Sequence, residues 1–286
     1  MKIKIGHFEF TEVWDGVLYK KLKDDPSISA WEMKNIAQFV LYEKMHGRTC
    51  TIECENAEVK QKAEEIIRSP EKYLDAACPV IIEECTACLH RGCLTKWVCH
   101  TASPENAVKI LDCGKLLSAV GARQLPAEQL IQEKRNAAKD PADYFYYVML
   151  SWGNCQAGDR LVMERKLGRF PDEKDLSEDF TPGVRFYFRY DRLANHPAAV
   201  FDGVLPVKVR NEIVLEDWVD LIVVPMALKD KMLPHIPDAL LRKTLFIEND
   251  CPDIWTWSKK VYEVVETTAG RGKKQPKVER KCAEIN

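Results

Sequence analysis

Four things are missing from this sequence, and each absence closes off a class of function. No apolar run approaches the ~18 residues a membrane span needs, so contact with a membrane is not expected. The net charge is only −2. No global basic field therefore marks a nucleic-acid binder, and any such contact has to be a local patch. The opening "MKIKIGHFEFTEVW" does not read as a secretory leader, which makes the cytoplasm the expected compartment. No internal repeat is visible, so a solenoid or propeller is not expected.

What is present fits a soluble protein with a substantial core. Of 286 residues, 46% are hydrophobic and 30% are charged, enough for one large domain or two modest ones. Cysteine is abundant instead of scarce: there are eleven. An odd count without a secretion signal points to reduced thiols, some of them available to a metal.

The chain divides by texture. In residues 1–95, "KIKIGHFEF" alternates as a strand. "SAWEMKNIAQFVLYEKMHG" has the spacing of a helix stopped by Gly47. "RTCTIEC" is a second strand, and "NAEVKQKAEEIIRSP" a helix opened by Asn56 and closed before Pro70. This order predicts a small α/β module. From 96 to 265 the chain is richer in strands. "KWVCH" leads into "SPENAVKILDCG", a helix with Ser103 as N-cap, Pro104 at its first position and Gly114 just past its end. A further helix is expected over "LPAEQLIQEKRNAAK". Strands follow over "DYFYYVMLSWG", "VRFYFRY", "VLPVKVRNEIVL" and "DLIVVP". Helices early and strands late give an α+β class. Residues 266–286 are polar and basic without periodicity, and read as a mobile tail.

Between the two parts lies "CPVIIEECTACLHRGCLTKWVCH". Cys85-x-x-Cys88 is the short loop that lets two thiolates grip one tetrahedral zinc, and Cys93 with either Cys78 or His90 would complete the site. Thiols packed in a reduced interior are the plainer explanation of the same residues. Cys99 shares a strand face with Trp97, opposite His100, and belongs to the core.

"CHTASPENAVKILDCGKLLSA" resembles the opening of the ADP-ribosyltransferase fold: a strand ending in His, a hydroxyl residue, then a helix of the type "enxxxILxxGL". Similar openings occur in DNA-targeting ADP-ribosyltransferase toxins and in RNA 2′-phosphotransferases. The resemblance implies split antiparallel sheets with helices, and NAD as substrate. His100 would bond a ribose hydroxyl of its adenosine half. The family order is His, any residue, Thr. Here His100 is followed by Thr101, Ala102 and Ser103, so either Thr101 or Ser103 supplies the displaced hydroxyl. Downstream, "LPAEQLIQEKRNAAKDPADYFYYVMLSWG" is similar to the toxin subgroup, with paired basic residues before an Asp-Tyr and an aromatic strand. Lys134, Arg135 and Lys139 would meet the pyrophosphate or a nucleic-acid phosphate. Among the tyrosines, strand alternation puts Tyr144 and Tyr146 on one face and Tyr147 on the other. Tyr147 is the candidate for stacking on nicotinamide, with core packing as the ordinary alternative. "NEIVL" matches the strand that begins with the family's catalytic glutamate, which makes Glu212 the candidate and Glu216 its competitor.

Cleaving the nicotinamide–ribose bond builds an oxocarbenium-like centre. A carboxylate facing it stabilises the transition state more than the ground state. Glu212 would take that role and would also serve as general base toward the acceptor. "EKRNAAK" and "RLVMERKLGRF" are local basic clusters, so DNA or RNA is slightly favoured over protein as acceptor. Two other classes stay open: an RNA 2′-phosphotransferase-like enzyme, and a non-catalytic, zinc-stapled interaction protein on a degenerate transferase fold.

Overall fold

The computed structural model describes residues 1–8, 11–23, 26–76, 96–132 and 140–271. The first strand, β1 (Lys2–Gly6), is followed by a hairpin of β2 (Glu12–Trp14) and β3 (Val17–Lys21). Its two turn residues, Asp15 and Gly16, both have positive φ, 50° and 79°, as a type I′ turn demands. This hairpin is additional to the expected strand–helix–strand–helix order. Then come α1 (Ala30–Met45), β4 (Thr51–Cys54) and α2 (Ala57–Arg68). Ser29 and Glu32 close a capping box on α1, and the Asn56 side chain caps α2. The sheet runs β2-β3-β1-β4, with β1 parallel to both β3 and β4. Ile3, Ile5 and Leu18 pack beneath Ile36, Phe39, Ala63 and Ile66 of the two helices.

The rest of the described chain begins with β5 (Trp97–Ala102), α3 (Pro104–Cys113), β6 (Lys115–Leu117), α4 (Ala119–Arg123) and α5 (Ala127–Leu130). Next are β7 (Tyr147–Trp152), α6 (Ala157–Leu167), α7 (Glu173–Ser177), β8 (Val184–Arg189) and α8 (Tyr190–Leu193). After β9 (Ala199–Val200) come β10 (Val207–Arg210), β11 (Glu212–Val214), α9 (Leu215–Trp218) and β12 (Leu221–Pro225). The chain ends its regular structure with α10 (Lys229–Met232), α11 (Asp238–Leu241), β13 (Thr244–Ile247) and α12 (Ile254–Arg271). Seven strands form one mixed sheet, in the order β13-β12-β8-β5-β7-β10-β9, and β6 pairs with β11 in a separate ribbon. The class is α+β, with helices spread through the second part instead of gathered at its start. The α12 helix carries the chain to Arg271, so helix occupies the first residues of the stretch expected to be a tail. No helix among the described residues is long and apolar enough to cross a membrane.

Strand alternation gives the large sheet two cores. Val98, Ala102, Phe186, Phe188, Val207 and Val209 face the α3, β6 and β11 layer. Trp97, Cys99, Tyr187 and Val223 face α12 through Trp257 and Val261. Cys99 is thus in the core beside Trp97, as expected. Between β8, α6 and α12, the fully buried Arg185 donates from Nε to Asp159 at 2.8 Å and from Nη2 to Ser258 Oγ at 2.6 Å. Asp159 also accepts the Gly183 N–H at 2.9 Å. The N-terminal unit docks directly on the larger one. Gly203, with φ of 69°, lies so close to α1 that a Cβ would collide with the Asn35 carbonyl, and Val204 packs into the N-terminal core.

Candidate active site at a fork in the sheet

The site begins where two strands part. β5 pairs with β8 along its whole length, from Trp97↔Arg189 to Ala102↔Val184. With β7 it shares only Val98↔Trp152 and Cys99↔Ser151. Beyond Ser151, β7 pairs with β10 alone, as far as Tyr147↔Arg210. Between these two pairings the sheet opens like a fork, and His100 is the first residue past its crotch. Its Nδ1 lies 3.2 Å from the Met149 carbonyl. The ring therefore satisfies a β7 carbonyl at the point where the β5–β7 pairing has ended, and the neutral tautomer leaves Nε2 as an acceptor. Burial pushes the His100 pKa down, the Met149 bond opposes this, and the nearby Arg165 charge lowers it further.

Topology brings the other candidates to the open end of the same fork. Tyr147 begins β7, and Arg210 opposite it ends β10. Asn211 turns the chain at a φ of 66°. Its N–H donates to the Tyr146 carbonyl at 2.9 Å and its own carbonyl accepts from Ser118 at 2.6 Å. Glu212 follows at once, paired with Leu117 on the β6–β11 ribbon. Its carboxylate meets Lys115 Nζ at 2.8 Å, with the two side chains 43% and 41% exposed. Glu216, its competitor, is carried away on the exposed side of α9.

The tyrosines do not alternate as a strand would make them. Residues 142–146 form a 3-10 turn, and only from Tyr147 is the backbone extended. A three-residue period stacks Tyr144 and Tyr147 on one side. Both are buried, at 5% and 6% exposure, whereas Tyr146 is 37% exposed. The Tyr147 ring lies 6.2 Å from Tyr42 of α1 and 4.9 Å from Lys208 Nζ. Tyr146 is therefore the open aromatic ring of this turn, bonded through its carbonyl to the residue before Glu212, and Tyr147 is buried.

The two hydroxyl candidates separate as well. Thr101 lies on the opposite face of β5 from His100, pressed against Gly158 of α6, and its Oγ1 is buried without a hydrogen-bond partner. Ser103 caps α3 by accepting the Asn106 N–H at 3.4 Å. Of the two, Ser103 is the less buried. Arg135, with Lys134 and Lys139, lies outside the described residues, as do Cys78, Cys85, Cys88, His90 and Cys93. Among the described residues no group of His, Cys, Asp and Glu would hold a metal.

No family model, curated protein or solved structure matches this chain.

Several residues there escaped the sequence reading. Lys115 holds Glu212, although "CGKLLS" offers no sign of a partner almost a hundred residues on. Lys208 is fully buried, 3.0 Å from Asp202 and within 3.6–4.9 Å of the rings of Tyr42, Tyr144 and Tyr147. Burial pushes its ammonium pKa down, with Asp202 opposing. Asp140 lies near that pair, and its carboxyl is raised from 3.8 to about 6, by burial first, with Lys208 opposing and Asp202 adding. A carboxyl that holds its proton more tightly when folded favours the native state while protonated. Stability from this group is therefore lost as pH rises from about 4 to about 6. Asp140→Asn removes that loss. Urea titrations should show the variant more stable than the parent above pH 6, by at most about 3 kcal/mol, with the gap closing below pH 4. A gap independent of pH would refute the assignment.

Proposed function

We propose that this protein transfers ADP-ribose from NAD to a macromolecular acceptor. The observation that supports the reading is the fork: His100 stands at its crotch, and its open end is bounded by the start of β7 at Tyr147 and by the Asn211 turn that leads into Glu212. His100, neutral at physiological pH, offers Nε2 to a ribose hydroxyl. Tyr146 supplies an exposed aromatic face for nicotinamide. Glu212 faces the anomeric carbon, stabilises the positive charge that develops there as nicotinamide leaves, and takes the proton of the attacking acceptor group. Ser103, less buried than Thr101, is the better candidate for the hydroxyl displaced from its usual position, and would exchange its bond to the Glu105 carboxylate for one to the ligand.

Nucleic acid is the favoured acceptor. Arg165 and Lys166 are exposed at the end of α6, Phe170 just beyond is 60% exposed, and the Arg165 charge is felt at His100. Cations beside an open aromatic ring suit the phosphates and bases of a single strand. Lys166 also bonds Thr181 Oγ1 at 2.9 Å, and Arg169 is paired with Asp175 at 2.6 Å.

The test is incubation with NAD and, separately, single-stranded DNA, RNA and protein, followed by mass spectrometry for an ADP-ribose adduct. A 2′-phosphorylated oligonucleotide forms a fourth arm, where a cyclic-phosphate product marks the phosphotransferase instead. In parallel, millimolar NAD should raise the melting temperature; saturation a hundredfold above Kd adds about 2.7 kcal/mol. An unmoved melting curve together with no adduct in any arm would leave the non-catalytic interaction protein as the better account.

A further inference from the structure

The N-terminal unit contacts the turn that carries Tyr146. Tyr42, on α1, donates its hydroxyl hydrogen to Asp143 Oδ2. Arg48, just after α1, donates from Nη1 to Asp143 Oδ1 at 2.7 Å. Arg48 is itself fixed by a two-point contact with the buried Glu43, Nε to Oε2 at 2.6 Å and Nη2 to Oε1 at 2.8 Å. Such forked pairs hold a guanidinium in one orientation. Burial alone would push the Asp143 carboxyl up, but the bonds from Arg48 and Tyr42 outweigh it and hold the group ionised. The turn 142–146 is therefore gripped near its start by Asp143, and from below by the rings that surround Lys208. At its far end the Tyr146 carbonyl bonds the Asn211 N–H, one residue before Glu212.

We infer that Tyr42 and Arg48 are positioning residues for the proposed NAD site: through Asp143 they fix the turn that presents Tyr146 and anchors the strand start at Glu212. This rests on the reading of that site as an NAD site. It gives the N-terminal unit a positioning part in the site, acting through Asp143 and touching neither NAD nor acceptor. A rigid chain of charge-assisted bonds is a physical route for such coupling, because each member has one arrangement that satisfies the next.

Tyr42→Phe keeps the ring over Lys208 and removes the bonds its hydroxyl makes to Asp143 and to Tyr147, the two residues that bracket the turn. Arg48→Gln removes the guanidinium, and Arg48→Lys restores the charge without the fork. Two quantities are measured on the full chain: backbone hydrogen exchange across residues 142–147 and 210–214, and the Kd for NAD by calorimetry. Both Tyr42→Phe and Arg48→Gln should speed exchange in those two segments and weaken NAD binding about fivefold, with far-UV circular dichroism unchanged. Arg48→Lys should fall between. Unchanged exchange in Tyr42→Phe overturns the inference, as does faster exchange with an unaltered Kd. Should the unmodified protein bind no NAD while exchange still quickens in the variants, the proposed function fails and the clamp on the turn stands. If Arg48→Gln fails to fold, Tyr42→Phe decides alone.

Discussion

Glu212→Gln is expected to bind NAD as the parent does and to transfer ADP-ribose on the order of a hundredfold or more slowly. The substitution keeps the shape of the side chain and removes its charge. Its only described ion pair is with Lys115, and both side chains are about two-fifths exposed, 43% and 41%. Exposed pairs of this kind contribute less than about 1 kcal/mol to stability, so the fold should not suffer. What disappears is the negative charge facing the anomeric carbon, and that charge matters more as the glycosidic bond breaks than before. Product formed at saturating NAD, read by mass spectrometry, separates the outcomes. Glu216→Gln, on the exposed side of α9, should keep full rate and serves as the internal control. Full activity in Glu212→Gln would sink the assignment of that residue.

The largest loss of stability is expected from Asp159→Ala. Arg185 and Asp159 are both wholly buried, and Asp159 is the acidic partner of the guanidinium. The other groups on that guanidinium, Ser258 at 2.6 Å and Tyr187 at 3.1 Å, are neutral. Removing the aspartate strands a charge in the core and orphans the Gly183 N–H. Breaking one half of a buried pair typically costs about 3–5 kcal/mol. For a chain of this length that lowers the melting temperature by roughly 10 °C, measurable by calorimetry. The effect should be larger than that of Asp159→Asn, whose amide oxygen still accepts a hydrogen bond. A melting temperature within a degree or two of the parent would mean the pair is not formed in solution.

What could be read from the sequence was local. Ser103 as cap, Pro104 at the first helical position and Gly114 at the end of α3 all stand where expected, because a helix terminus is specified by its own few residues. The hairpin over Asp15-Gly16 carries an equally local signature. The tyrosine turn shows the limit: "DYFYY" suits strand alternation, but a proline just before it and a 3-10 period reassign which ring is buried. Lys208 lies further beyond reach. In "VKVR" it reads as the solvent-facing member between two core valines, and it is buried because Tyr42, from the other end of the chain, joins Tyr144 and Tyr147 around it. The same holds for Arg185 with Asp159, and for Glu212 with Lys115. Positions of candidate residues on their elements were therefore legible, and their partners were not.

The cage around Lys208 bears on where this chain can be cut. Composition changes near residue 96, which invites expression of the later residues alone. Such a fragment would lack Tyr42, open the Lys208 ammonium to water on one side, and leave Val204 and the close approach at Gly203 with nothing to meet. Texture divides the polypeptide there; cohesion does not.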